Sequence, residues 1–219
     1  MQPESIPYDD RYAPNDTPEV ASKQFFEILR RRRTVRMFSG RPVSRETVEN
    51  LVRCAGSAPS GANKQPWRFV CVQDQALKRE IRIAAEKEEH ELYTRRANTE
   101  WLRDLEPLGT DEHKMFLETA PWLVVVFKLM REDDGSQVYY INESVGLATG
   151  MFIAAAQMAG LATLTHTPSP MEFLRGILGR PEHERPYLLI PIGYPSDDCV
   201  VPKHAIWRKD LADIMVVDA

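Results

Sequence analysis

Apolar residues recur along this chain in two rhythms, one helical and one continuous, and together they predict a mixed set of elements. Phe25, Phe26, Ile28 and Leu29 form one face of a helix that Thr17 caps, that Pro18 enters at its first turn, and that runs into the basic stretch 30–33. Val48, Leu51, Val52 and Ala55 repeat at helical spacing behind a second N-cap, Ser44. Short unbroken apolar runs predict strands at 69–72, 122–127 and 187–192, with a further strand at 162–165. Asp74 caps a third helix, and Ser169-Pro170 opens another that Gly179 closes. Helices and strands alternate without a regular βαβ rhythm, which predicts an α+β fold.

Two stretches stand outside this pattern. Residues 145–164 are almost all apolar or small and include the spacing Gly146-x-x-x-Gly150, so hydropathy alone admits a membrane span. Thr149 and Gln157 interrupt it, Tyr139, Tyr140, Asn142 and Glu143 lead into it in helical register, and Gly160 ends it early. A buried helix fits better, and its Ala and Gly positions would let a second helix approach closely, as at a dimer interface. The other stretch, 86–118, is highly charged with scattered aromatics, a poor core and a plausible mobile lid. Residues 1–16, rich in Pro, Asp and Tyr, read as an extended arm, leaving 17–219 as a single domain.

Composition narrows the classes. With 219 residues, 43% of them hydrophobic, the chain can bury a core without disulfides or structural metal, which excludes wholesale disorder. A net charge of -4 argues against nucleic acid as a partner. Cys54, Cys71 and Cys199 are too scattered for a disulfide framework or a zinc site and fit a reducing compartment. No HExxH accompanies the histidines, so no metal is expected. Residues 1–7 lack the basic-then-apolar pattern of a signal peptide, so a cytoplasmic chain without a membrane anchor is expected.

The candidate chemistry has two readings at each point. Five arginines in the seven residues 30–36 could grip a phosphate, or simply complement a helix C-terminus. Pro59-Ser60-Gly61-Ala62 could bring backbone N–H groups to a ligand, or form a plain turn. Thr165-His166-Thr167-Pro168 offers hydroxyls after a strand, or enters a helix, and no Ser or Cys stands ready to make His166 part of a hydrolytic triad. Glu89 and Tyr93, at i and i+4, share a helix face, and Lys114 follows at a distance the chain could fold back across. An anion, a phenol and a cation on one lid could clamp an amino-acid zwitterion, or form a solvated face.

In order, these motifs resemble the flavin-dependent nitroreductase superfamily, and within it the iodotyrosine deiodinase branch. The resemblance runs from Phe25 onward through Arg32-Arg33-Thr34-Val35-Arg36, Ala58-Pro59-Ser60-Gly61-Ala62 and Gln65-Pro66-Trp67 to Thr119-Ala120-Pro121. It continues through Leu178-Gly179-Arg180-Pro181, Gly193-Tyr194-Pro195 and Trp207-Arg208-Lys209. The Glu89, Tyr93 and Lys114 lid is the feature that resembles the branch. The resemblance implies a nitroreductase-like mixed sheet flanked by helices, in a domain-swapped-type homodimer that holds FMN at each of two subunit interfaces. It implies that Arg32, Arg33, Thr34, Arg36 and Arg208 bind FMN, together with Pro59, Ser60, Gly61 and Ala62 from the other subunit and the run Thr165, His166 and Thr167. Thr167 falls where the family places a hydroxyl on the flavin N5, a placement that suits one-electron steps. Glu89 would take the substrate ammonium, Lys114 and Tyr93 its carboxylate, and the Ala62 N–H the phenolate. The implied reaction is reductive dehalogenation of halotyrosines, 3-iodotyrosine giving tyrosine and iodide. A broad nitroreductase or quinone reductase, and a non-catalytic flavoprotein that senses tyrosine-like amino acids, are the alternatives. No Gly-rich dinucleotide fingerprint follows a strand, so the sequence does not name the electron donor; an NAD(P)H-linked donor or reductase is the expected partner. His166 interrupts the family's threonine run, and 63–65 and 169–171 also depart from its pattern.

Overall fold

The structure, a computed structural model, describes residues 3–218; Met1 and Gln2 of the predicted arm, and the last residue of the predicted domain, lie outside the described residues. The chain divides into two compact units, Met1–Arg32 and Arg33–Ala219. In the first, residues 3–16 have no helix or strand and lead into α1 (Pro18–Leu29), with Thr17 as N-cap and Pro18 in the first turn. The helix ends at Leu29 and does not run on through 30–33. The N–H groups of Arg31 and Arg32 reach back only three residues, to Ile28 and Leu29, so the ladder tightens and stops.

The second unit is built on a four-stranded sheet. After α2 (Arg45–Gly56) come β1 (Trp67–Val72), α3 (Gln75–Glu91), α4 (Thr99–Leu105) and α5 (Phe116–Thr119). Then follow β2 (Trp122–Leu129), α6 (Ile141–Met158), β3 (Ala162–Thr163), α7 (Glu172–Ile177), β4 (Glu184–Gly193) and α8 (Leu211–Ile214). The strand order is β1-β2-β4-β3, antiparallel throughout. The mixed sheet expected from sequence therefore reduces to an antiparallel one, and the parallel pairing among the described residues is an isolated bridge, Thr34 to Thr163.

The unbroken apolar run of β2 follows from its place inside the sheet, with a helical layer on each face. Trp122, Val124 and Val126 pack with Val48, Leu51 and Ala55 of α2 and Phe152 of α6. Leu123, Val125 and Phe127 pack with Ile81 and Ala85 of α3, Leu117 of α5 and Leu174 of α7. Two of the predicted caps form as read, Ser44 accepting from the Thr47 N–H and Asp74 from the Leu77 N–H, whereas Thr17 stands at the N-cap of α1 without a side-chain capping bond. Helix α6 is not buried all round. It covers Val145, Ala148, Phe152 and Ala156, while Leu147, Met151 and Met158 are exposed on this single chain because one of its sides alone meets the sheet. Among the described residues, no helix is long and apolar enough to cross a membrane.

Two elements differ in extent from their prediction. The strand expected at 162–165 keeps its ladder only over Ala162–Thr163 and resumes as one bridge between His166 and Leu189. The helix expected to open at Ser169-Pro170 starts at Glu172, and the Ser169 carbonyl accepts from the Arg96 guanidinium at 2.9 Å.

Gly193 closes the sheet against Pro121, and a Cβ there would lie 2.4 Å from Pro121 Cδ and 2.8 Å from Cγ. A proline ring cannot swing aside as a flexible side chain would. Gly193→Ala is therefore expected to cost about 1–3 kcal/mol by overpacking, read as a lower urea midpoint at unchanged slope. An unchanged midpoint would show that the junction yields.

Candidate active site

The site grows from the buried face of α3. Ile81 and Ala85 point into the core, and the same helical stripe, four residues on, carries Glu89 inward to 6% exposure. A carboxylate driven inside this way needs a partner. Lys114, 5% exposed, places Nζ 3.3 Å from Glu89 Oε2. Lys114 is itself held on several sides. Its backbone N–H donates to Glu86 Oε1 at 2.8 Å, its Nζ donates to the Asp111 carbonyl, and its Nζ lies 5.8 Å from the centre of the Tyr93 ring. Immediately after α3 the helix widens into one π-helical turn, Leu92–Arg96, which carries Tyr93. The Tyr93 hydroxyl is 2.8 Å from Thr110 Oγ1.

The floor is the segment 165–167, where side chains alternate as on a strand. Thr165 and Thr167 are exposed and His166 is buried between them. Paired hydrogen bonds with Leu189, 2.9 and 3.0 Å, lock the His166 backbone, and Phe116 meets the ring edge-on at 5.7 Å. His166 Nε2 lies 3.8 Å from Glu89 Oε1, beyond hydrogen-bond length, and has no partner.

Burial shapes the charges here. It raises the Glu89 carboxyl above the ordinary carboxylate range, against the pull of Lys114. Burial likewise raises the Tyr93 phenol and lowers the Arg36 guanidinium. Burial, reinforced by Lys114 and Arg36, drives His166 from 6.5 down to about 3. The unfolded chain takes up that proton near 6.5, so this group's contribution to stability is complete above pH 6.5 and is lost as pH falls toward 3. Glu89, with its raised value, acts in the opposite sense and gains for the folded state as pH falls. His166→Gln is expected to recover about 2 kcal/mol of the stability lost between pH 7.5 and pH 5, measured by urea titration at both pH values. A wild-type-minus-variant difference that ignores pH would contradict it.

Arg36, Glu89, Tyr93, Lys114, Thr165, His166 and Thr167 thus surround one cavity of about 200 Å³. Its six other lining residues, Leu92, Trp101, Leu105, Thr110, Phe116 and Leu164, were not among the site residues expected from sequence. Thr110 has no signal in sequence, whereas Phe116 and Trp101, which also lines the cavity, were visible as apolar side chains in a charged segment. Among the described residues no cluster of His, Cys, Asp and Glu is arranged for a metal.

Other candidates lie outside this cavity. Pro59, Ser60, Gly61 and Ala62 pack elsewhere, where the Gly61 N–H donates to Ser144 Oγ at 3.3 Å. A Cβ on Gly61 would strike Tyr140 Cδ2 at 2.6 Å and the Tyr139 carbonyl at 3.0 Å, so glycine is required for the contact. Ala62, Asn63 and Gln65 all hold positive φ, which makes this one of the strained parts of the chain. Arg208 is exposed, donating to the Ala205 and Trp207 carbonyls. Thr34 pairs with Thr163 on the edge of the sheet, Arg33 is half-buried beside it in sequence, and Arg32 belongs to the first unit. A larger hollow of about 870 Å³ lies over β1 and α2, lined by Val48, Phe69 and Cys71. It holds none of the candidate residues, and burial pushes its Cys71 thiol up to about 11, an inert form.

Residues 29–194 match the nitroreductase family. The chain is 51% identical over 99% of its length to an iodotyrosine deiodinase from Haliscomenobacter hydrossis, covering 99% of that protein. The chain belongs to the iodotyrosine deiodinase branch of the nitroreductase family. It is also 42% identical over 97% of its length to iodotyrosine deiodinase 1 of Homo sapiens, of which it covers 75%. Its fold superposes with a TM-score of 0.75 on a crystal structure of oxidized iodotyrosine deiodinase bound to FMN and 3-iodo-L-tyrosine. That match is 31% identical and covers 89% of this chain and 97% of the other. The nitroreductase fold thus carries its polar cavity where segment 89–116 meets the strand-like run 165–167.

Proposed function

We propose that this protein is an FMN-dependent reductive dehalogenase of halotyrosines, converting 3-iodotyrosine to tyrosine and iodide. The observation that carries this reading is the buried Glu89–Lys114 pair beside Tyr93, over a run of cavity-lining threonines. A solvated charged face would leave these groups in water; here an acid and a base sit at 6% and 5% exposure. Such a pair is expensive to bury unless further hydrogen bonds complete it, and an amino-acid zwitterion would supply them.

The residues present fit FMN. Arg36 lines the cavity with its guanidinium partly desolvated, and Thr165 and Thr167 offer hydroxyls beside it. Arg33, Arg36 and Arg208 would hold the phosphate, with Thr34, Thr165 and His166 beside the ring system. Bound FMN supplies the electrons for carbon–halogen cleavage. Thr167, which also lines the cavity, would offer its hydroxyl to the flavin N5.

The chain's own work is placement and exclusion of water. Glu89 accepts from the substrate ammonium, while Lys114 and Tyr93 donate to its carboxylate. Each charge-assisted hydrogen bond contributes about 1.5–3 kcal/mol in a dry site. The Ala62 N–H of a second subunit takes the phenolate. Lid segment 86–118 orders over the substrate and expels water, strengthening each of these contacts.

A homodimer completes the site. Pro59, Ser60, Gly61 and Ala62 do not line the cavity of their own chain, and α6 leaves Leu147 and Met151 uncovered. The tail beyond α8, with Val216 88% exposed, is a further apolar surface seeking cover. Within each subunit, 17–219 acts as the FMN domain. Electrons arrive from an NAD(P)H-linked reductase, and the free thiols suit work in the cytoplasm.

Flavin fluorescence of the FMN-loaded protein tests the reading. Titration with 3-iodotyrosine is expected to quench it at far lower concentration than titration with iodophenol, which has no zwitterion. Equal, weak quenching by both would demote the lid to a solvated face and favour a general nitroreductase.

A further inference from the structure

His166 Nε2 is a buried polar atom without a partner, inside the cavity that holds the clamp. Two other buried side-chain atoms share that condition among the described residues, Arg68 Nε and Ser196 Oγ. Arg68 Nε stands 2.8 Å from the Glu184 carboxylate and is accounted for electrostatically; Ser196 lies away from this cavity. His166 Nε2 instead faces a carboxylate oxygen, Glu89 Oε1, at 3.8 Å. The His166 backbone is held by two hydrogen bonds to Leu189, and its ring packs against the edge-on Phe116 ring. Lys114 engages Glu89 through Oε2 at 3.3 Å, which leaves Oε1 as the oxygen turned to His166. Reaching hydrogen-bond length to His166 takes a carboxylate shift of about an ångström or less.

We propose that His166 is a positioning residue for the ammonium-binding carboxylate. When an amino-acid ammonium separates Glu89 from Lys114, His166 Nε2–H donates to Glu89 Oε1 and holds the carboxylate toward the ammonium. This rests on the zwitterion clamp proposed above. It adds a requirement that the clamp alone does not make: selectivity for the amino group depends on a donor at position 166. The chemistry is consistent with the surroundings. Burial, Lys114 and Arg36 keep the imidazole neutral, so it can donate from one nitrogen without adding a third cation to the site. A carboxylate fixed on both oxygens also loses less freedom when the ligand binds.

The test compares two ligands on FMN-loaded protein by calorimetry: 3-iodotyrosine and its desamino analogue, which keeps the phenol, the iodine and the carboxylate. Wild type is expected to prefer the amino acid. His166→Leu, which removes the donor, is expected to weaken 3-iodotyrosine about tenfold more than it weakens the analogue. His166→Gln, whose amide N–H can take the place of Nε2–H, is expected to restore most of the preference. Should Leu prevent folding, judged by flavin content and urea midpoint, His166→Thr is too short to reach Oε1 and serves in its place. Equal weakening of both ligands, or no change in either, would mean that His166 only packs, and would overturn the proposal. A Gln variant as weak as Leu would overturn it too. A wild type that shows no preference for the amino acid would bring down the clamp itself, and the proposal with it.

Discussion

Glu89→Gln is expected to lower kcat/KM for 3-iodotyrosine by roughly a hundredfold, with no comparable loss on a nitroaromatic. The carboxylate sits at 6% exposure, where its attraction for an ammonium is little screened by water. The amide keeps the shape but removes the charge, so the loss falls on ligands that carry an amino group. Lys114→Ala is expected to act as strongly by a different route. It removes the donor for the substrate carboxylate and leaves Glu89 buried without its 3.3 Å partner. Burial already raises the Glu89 carboxyl, and without Lys114 it rises further, so the clamp loses both signs of charge at once. Steady-state kinetics on 3-iodotyrosine and a nitroaromatic, side by side, separates the cases. Parallel losses on both substrates would point to general damage, and unchanged turnover of the halotyrosine would remove the clamp from the account.

The largest loss of stability is expected at the far end of the sheet. Glu184 is fully buried, and Arg180 grips it with two hydrogen bonds, Nε to Oε2 at 2.7 Å and an Nη to Oε1 at 2.8 Å. Arg68 Nε adds a third contact at 2.8 Å and reaches out to Asp133 on the surface. Arg180→Leu leaves a buried carboxylate without its bidentate partner and is expected to cost about 3–5 kcal/mol. Glu184→Leu is expected to cost less, because Arg180 and Arg68, at 27% and 38% exposure, can turn to water. Urea denaturation of the two variants gives the ordering. A Glu184 variant less stable than the Arg180 variant would reverse the assignment of which charge is trapped.

Much of the frame could be read from local pattern. The Ser44 and Asp74 caps, the apolar run of β2 and the shared face of Glu89 and Tyr93 depend on neighbours a few residues away. What stayed hidden depends on distant partners. Strand β1 starts at Trp67, earlier than its apolar run suggests, because Trp67 pairs with Lys128 across the sheet. The start of α7 is displaced past Ser169, whose carbonyl is held by Arg96 from the π-helical turn. The approach of His166 to Glu89 spans 77 residues of sequence, and no spacing rule announces it. Which side of α6 meets the sheet was hidden too, because the run 145–164 is apolar or small nearly throughout and does not mark Leu147 and Met151 as the exposed positions.

The most direct test is the product of a single reductive turnover. FMN-loaded protein, reduced anaerobically and mixed with excess 3-iodotyrosine, is expected to release one tyrosine and one iodide per reduced flavin, two electrons and a proton replacing the carbon–iodine bond with carbon–hydrogen. Reduced flavin that persists with 3-iodotyrosine bound and no iodide formed would contradict the dehalogenase account and leave a flavoprotein that only senses the amino acid.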